Sequence, residues 1–256
     1  MLDKPLVSVV MATYNMSSYL PLAVRSVLDQ TYKNIELLIV DDGSTDDTEK
    51  VVEPFLHDSR VKYMVQENKG QAAAKNFGVH KSTGEYVAFL DADDLWMPEK
   101  LDLQIPLFFN SKTVGVVYAR LIYIDDTGNS LAMFDNDKIF RGQVSGPMLI
   151  RNFIPFGTSV VKRECFERLG GFKETIRMGI DYDLWLRFST RYEFDYVDRP
   201  LLYYRVCSGQ MSSNCKGRYL NGIEIMKNFL QEFPGIVDKG TESEAWAHTY
   251  VGFGQC

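Results

Sequence analysis

Tyr86-Val87-Ala88-Phe89-Leu90-Asp91-Ala92-Asp93-Asp94 sets an apolar run of strand length directly against three carboxylates. Aromatic and branched residues over 86–90 predict a buried strand. The carboxylates then fall at its carboxyl end, where an α/β sheet opens into a binding crevice. A solvated acidic turn is the plainer alternative, but the apolar run before the cluster and Trp96 and Pro98 after it favour a built site. Three clustered carboxylates call for a cation. Hard divalent ions such as Mg²⁺ or Mn²⁺ take carboxylate oxygens and keep substrate phosphates as further ligands, so an Asp-x-Asp strand end predicts a metal that carries a nucleotide diphosphate.

On the amino-terminal side of this stretch, strands are expected over 6–12, 35–41 and 61–65, each short, apolar and followed by turn-forming residues. Helices fill the gaps. The 18–30 segment puts Leu20, Ala23, Val24, Val27 and Leu28 on one face; 45–56 has Ser44 and Thr45 as candidate caps; 71–81 follows Gly70. Strand and helix in alternation imply a parallel sheet with right-handed crossovers.

The carboxyl ends of these strands hold Thr13-Tyr14-Asn15, Asp41-Asp42-Gly43-Ser44 and the Asp91 to Asp94 cluster, all able to face one crevice. No Gly-x-Gly-x-x-Gly follows the first strand and no Gly-Lys-Ser/Thr occurs, so a nucleotide must be held in another way. Asp41 can accept hydrogen bonds from a base and Tyr14 can stack on it. The alternative is that Thr13 and Asn15 shape a turn, while Asp42, Ser44 and Asp46 cap the next helix. The 41–47 loop lacks the alternating ligands and final Glu of an EF-hand, which argues against calcium.

The 256 residues suit one large α/β domain or two small ones, and 45% hydrophobic with 24% charged residues argues against disorder. No apolar run approaches the roughly 20 residues of a membrane span. Met1 to Lys4 lead straight into the first strand without a signal-peptide pattern. A net charge of −6 gives no reason to expect nucleic acid. Cys165, Cys207, Cys215 and Cys256 show no Cys-x-x-Cys spacing and are expected to be reduced thiols of a cytoplasmic protein.

Taken together, Val7 to Asn15, Ile39-Val40-Asp41-Asp42-Gly43-Ser44-Thr45-Asp46, Asn68-Lys69-Gly70 through Asn76-x-Gly78, Phe89 to Asp94 and Gly170-Gly171-Phe172 resemble the family 2 glycosyltransferases with a GT-A fold. The likeness covers residues 5 to about 210. It implies an α/β fold with a mixed, mainly parallel, Rossmann-like sheet flanked by helices, an inverting transfer from a nucleotide-sugar, usually a UDP-sugar, and Mn²⁺ or Mg²⁺ as cofactor. It places Thr13, Tyr14, Asn15, Asp41, Lys75, Asp91, Ala92, Asp93 and Arg205 around the donor, and Asp93, Asp91 and Asp94 near the metal. The implied division is a GT-A domain over 1–215, with a nucleotide half over 1–95 and an acceptor half over 96–215, followed by a helical extension over 216–256.

In the second half, Asp181 lies at the expected start of a helix whose Leu184, Trp185 and Phe188 form an apolar face. It can be a helix cap or an aimed carboxylate. The resemblance matches it to the family's catalytic base in a Glu/Asp-Asp motif, with Ile180 where an acidic residue is commoner and Asp183 as the rival. Leu202 to Ser212 is similar to the Tyr-Arg-x-His segment, but Cys207 stands where His is common, which leaves diphosphate contacts to Arg205 or the 208–212 loop. Cys207 can equally be a buried packing residue. Residues 152–158 are either an acceptor wall or an ordinary connection. Helices are expected over 219–227 and 242–250, to cover the crevice, dock another subunit or lie on a membrane.

A glycan or lipid-linked acceptor in cell-surface polysaccharide synthesis is implied, at the cytoplasmic side, with peripheral membrane contact and self-association left open. A non-catalytic sugar-nucleotide binder and a metal-dependent nucleotidylyltransferase are the other function classes. The second normally has a Gly-rich, basic amino-terminal loop, and Met11 to Asn15 has none.

Overall fold

The computed structural model describes residues 4–134, 138–207 and 214–256. Its first half alternates β1 (Val7–Thr13), α1 (Leu20–Leu28), β2 (Ile35–Asp41), α2 (Thr48–Val52), β3 (Val61–Val65), α3 (Gln71–Lys81) and β4 (Tyr86–Phe89). β1 lies parallel to β2 and to β4, and β3 parallel to β2, so the order β3-β2-β1-β4 is that of crossover connections. All seven residues of β2 are buried, as expected of a parallel strand covered on both faces.

The second half turns mixed. It contains β5 (Leu95–Trp96), α4 (Lys100–Gln104), α5 (Leu107–Asn110), β6 (Val114–Ile124), β7 (Ser130–Phe134), α6 (Ser145–Ile150), β8 (Val160–Lys162), α7 (Arg163–Leu169), α8 (Ile180–Ser189), β9 (Glu193–Arg205), α9 (Cys215–Glu232) and α10 (Lys239–Gly254). β8 joins β4 and β6 antiparallel, β6 runs parallel to β9, and β5 closes the far edge on β9. Side chains alternate between the two faces: Val7, Val9 and Met11 enter a core with α1 and Phe108, whereas Val10 enters a second core with Trp185 and Phe229.

Strands β2 and β3 and helix α3 match the expected spans, and β1 and β4 differ from theirs only at the ends. The helix expected over 45–56 is a correction: α2 spans only Thr48–Val52, continued by a 3-10 turn, Glu53–Phe55. Asp46 accepts from the backbone N–H groups of Thr48 (3.1 Å) and Ser17 (3.0 Å), which holds the preceding residues as a loop. Pro54 then cannot donate to an α-helical turn. The cysteines are the second correction: Cys215 and Cys256 form a disulfide, while Cys165 and Cys207 are free. Sequence spacing hides this pairing because α9 and α10 pack as an antiparallel hairpin that brings residues 41 positions apart to a Cα–Cα distance of 5.9 Å.

Two glycines permit close approaches, one within the first half and one between the halves. On α3, a Cβ at Gly78 would clash with Val10, so only glycine lets the helix lie this close to β1. Two residues earlier, Asn76 donates to the Phe172 carbonyl (2.9 Å) and accepts from the Phe172 N–H (2.8 Å), a two-bond clasp between the two sequence halves. Gly171 sits against that amide, and a Cβ there would collide with it.

Candidate active site

The carboxyl ends of β1 and β2 stand in register, with Thr13 opposite Asp41. Asp41 is buried, and its carboxylate accepts from the Ser44 N–H (2.7 Å) and the Tyr63 hydroxyl (2.5 Å). Thr13 is also buried, and its hydroxyl has no hydrogen-bond partner among the described residues. Tyr14 beside it is 46% exposed, a ring face open to a stacking ligand. Asn15 holds a left-handed backbone (φ 54°), donates its N–H to the Ser44 hydroxyl (2.9 Å) and accepts from the Thr45 N–H (2.7 Å). Its side chain therefore fixes two loops to each other. Asp42 ties the same ledge to α3 by accepting from the N–H groups of Lys69 (2.9 Å) and Gly70 (2.7 Å).

The residues of the acidic cluster separate sharply in environment. Asp91 accepts from the Lys75 ammonium at 2.9 Å, and that lysine is itself buried, with its charge 4.7 Å from the centre of the Phe156 ring. Ala92 is buried in the core and turns the loop. Asp94 is 2% exposed, and its carboxylate accepts from the Arg205 N–H at 2.8 Å. Burial, with added repulsion from Asp93 and Asp91, raises Asp94 well above the usual carboxylate range. The Arg205 guanidinium is buried too: it donates to the carbonyls of Asp93 (2.8 Å), Asp125 (2.9 Å) and Asp126 (3.0 Å) and lies 4.9 Å from the Tyr19 ring centre. What the structure shows of Arg205 is a clamp on the loop that carries the acids. The alternative carriers, 208–212, lie outside the described residues. Cys207 is half-buried, with its thiol 3.6 Å from the Tyr19 hydroxyl.

Among the described residues no three His, Cys, Asp or Glu side chains converge on one point. Mg²⁺ and Mn²⁺ sites that use substrate phosphates commonly take only one or two carboxylates. The Asp91 side chain is 37% exposed and lines the cleft, so its carboxylate oxygens fit the hard-donor chemistry of such an ion. Asp94, held on Arg205 beneath the loop, fits less well.

Asp181 and Asp183 occupy the first turn of α8, whose start is made by Gly179 in a left-handed conformation (φ 78°). The cap is therefore Gly179 and not Asp181. The Asp181 carboxylate accepts from the Asn152 amide at 2.8 Å. Burial raises it above the ordinary aspartate value, and the Asn152 bond and the Lys75 charge oppose that rise. Asp183 faces the other way: it is buried and paired with Arg187 (2.8 Å) and Lys173 (3.1 Å), while Arg187 also donates to the carbonyls of Leu169 and Gly171.

Asp91, Lys75 and Asp181 line one cleft of about 860 Å³. The 152–157 segment forms part of its wall. Residues 152–158 and the carboxyl-terminal helices were expected only as alternatives for the crevice, and no motif marked the bond from Asn152 to Asp181 or the lining of the cleft by α9 and α10 through Tyr219, Ile225, Met226 and Thr249.

A family model described as Glycosyl transferase family 2 matches residues 8–170. An uncharacterised glycosyltransferase of Rickettsia typhi is 34% identical over 203 residues, which cover 77% of this chain and 63% of the relative. Chondroitin synthase of Escherichia coli is 33% identical over 211 residues, covering 82% of this chain but 30% of that protein. The chain thus spans only part of these relatives. In fold it is similar to S. aureus TarS in complex with UDP-GlcNAc (TM-score 0.72, 17% identity, 97% of this chain and 70% of that one) and to the mannosyltransferase PcManGT from Pyrobaculum calidifontis in complex with GDP-Man and Mn²⁺ (TM-score 0.77, 20% identity, 99% and 73%).

Proposed function

Because the chain belongs to glycosyl transferase family 2, we propose that it is a glycosyltransferase that moves a sugar from a nucleotide-sugar donor to an acceptor hydroxyl with inversion at the anomeric carbon. The observation that carries this reading is the placement of Asp181 and Asp91 on one cleft, with Asp181 held by Asn152. The base of the donor would lie against Tyr14, with Asp41 and the unpartnered Thr13 hydroxyl as hydrogen-bonding groups. Nucleotide-sugars bound in proteins of the same fold support this donor class.

Asp91 and Asp93 would hold Mg²⁺ or Mn²⁺, which when bound neutralises charge on a departing diphosphate. Lys75, buried and fixed on Asp91, adds a positive charge at the same end of the cleft and keeps the loop in place. Asp181 would take the proton of the acceptor hydroxyl as that oxygen attacks the anomeric carbon. General-base assistance of this kind contributes about 10²- to 10⁴-fold. The Asn152 amide fixes the carboxylate's orientation towards the cleft. Inversion requires one displacement only, so no second carboxylate is needed as a nucleophile. The 1–95 half would then serve the donor and the 96–215 half the acceptor, with the 216–256 helices adding to the acceptor wall.

The test is titration of UDP, GDP, CDP and dTDP with Mn²⁺ and with chelator, on the wild-type chain and on Asp181→Asn. Metal-dependent binding of one nucleotide by both proteins, together with donor turnover lost by at least about 10²-fold in the variant, is the expected result. Equal turnover by the two proteins, or binding of none of the nucleotides, would sink the reading.

A further inference from the structure

The cleft carries its charge unevenly. Asp91, Asp94 and Asp181 are its acidic lining residues, and none of them belongs to the wall built by the end of α6 with α9 and α10. That wall presents Arg151, Arg218 and the ionisable His248, in a chain whose net charge is −6 with His neutral, while Lys75, the other basic lining residue, belongs to α3 and is paired with Asp91. Its surroundings hold it in place. Cys215, less than one turn before Arg218, is bonded to Cys256; the Tyr219 ring packs where a Cβ on Gly252 would stand; and Thr249 donates to the Met226 sulfur at 3.3 Å. The Arg218 guanidinium lies 5.9 Å from the Tyr219 ring centre, and the residue is exposed on the cleft side of α9.

We infer that this wall is an anion subsite, and that the acceptor carries a phosphate or carboxylate received by Arg218, with Arg151 and His248 beside it. The inference rests on the transferase reading above and names the chemical class of its acceptor. A guanidinium presents a planar fork of donors that matches either anion with two parallel bonds, whereas a neutral hydroxyl engages it singly. Positive charge gathered on one wall of a cleft also concentrates anionic ligands there before contact. The cleft volume of about 860 Å³ leaves room for an acceptor unit beside a donor sugar.

Glycerol 1-phosphate and glucuronate, titrated by calorimetry into the full chain at low salt with chelator present, separate the two sources of the anion. Chelator keeps a metal-held phosphate contact at Asp91 and Asp93 out of the signal. Glycerol and glucose are the neutral controls, and the variants are Arg218→Gln and Arg218→Lys. At least one anion is expected to bind where neither neutral compound does. Arg218→Gln should weaken that binding about tenfold or more, with Arg218→Lys intermediate. Phosphate binding alone points to a polyol-phosphate or lipid-phosphate acceptor, and carboxylate binding alone to a uronic acid. The inference is overturned if neither anion binds, if the neutral compounds bind equally well, or if Arg218→Gln binds like the wild type. Nucleotide titration with Mn²⁺ on the same variants distinguishes the two failures: loss of all nucleotide binding in the wild type refutes the donor site, whereas the anion titration judges the wall alone.

Discussion

Asp181 and Asp183 are two residues apart on one helical turn, yet their surroundings give them opposite tasks. Asp183 is an ion-paired strut for Arg187 and Lys173, and Arg187 in turn secures the Leu169 to Gly171 corner. Asp183→Asn leaves Arg187 buried without its counter-charge, so we expect a loss of about 3–5 kcal/mol in urea unfolding. Asp181→Asn keeps the hydrogen-bonding shape and relieves a buried charge, so its unfolding midpoint should stay at or above that of the wild type while turnover falls. A reversed pattern would exchange the two roles. Protonation gives a second check. A base must be ionised, so the acid limb of the turnover-pH profile should lie above the ordinary aspartate value of about 3.9. Asn152→Ala removes a bond that favours the ionised form, and the limb should then move to still higher pH. A limb unmoved by that change would mean that another group sets it.

At the scale of elements, β2 shows how a parallel strand carries one acid through the sheet. Glu36 is buried, accepts from the Ser8 hydroxyl (2.7 Å), the Lys62 ammonium (2.7 Å) and the Thr83 N–H (2.6 Å), and so joins β1, β3 and the turn before β4. Burial by itself raises its carboxyl, but the bonds from Lys62, Ser8 and Thr83 outweigh burial and bring it down to about 2. The folded value is depressed below the unfolded one of about 4.3, so this stabilisation is complete above that pH and disappears as pH falls towards 2. Glu36→Gln should therefore cost about 2 kcal/mol at pH 7, and the gap to wild type should narrow from pH 4 downward. Urea midpoints at pH 7 and pH 3 measure this directly, and an equal gap at both would refute it.

For the whole molecule, the carboxyl-terminal hairpin is part of the core and of the cleft at once. Ile225, Met226, Phe229 and Ala245 join the cluster that contains Trp185 and Phe194, while Tyr219 and Thr249 face the cleft. The Cys215–Cys256 bond closes a loop of 41 positions, which in the chain-entropy account is worth roughly 2–4 kcal/mol. The double variant Cys215→Ser, Cys256→Ser should lose that amount in urea unfolding and raise the acceptor KM, with nucleotide affinity unchanged, because the residues proposed for the donor lie on β1, β2, α3, β9 and the loops after β1 and β4, outside the hairpin. A matching loss of nucleotide affinity would show that the hairpin supports the whole cleft. Among the described residues no helix is long and apolar enough to cross a membrane.

The alternating strands and the acids at their carboxyl ends were legible in the sequence because strand and helix periods and strand-end chemistry are local properties of the chain; Asp181 was visible only as a carboxylate at a helix start, and its assignment as a base came from the family resemblance. Four strand positions and α3 could be placed from pattern alone; the short α2 could not, because Asp46 bonds to Ser17 on another loop. Only the folded chain decided which acids share a cleft, that Asp183 serves Arg187, that Arg205 clamps the acidic loop, and that Cys215 meets Cys256. Each of these depends on groups far apart in sequence whose meeting is set by packing, and no local period or spacing encodes such a distance.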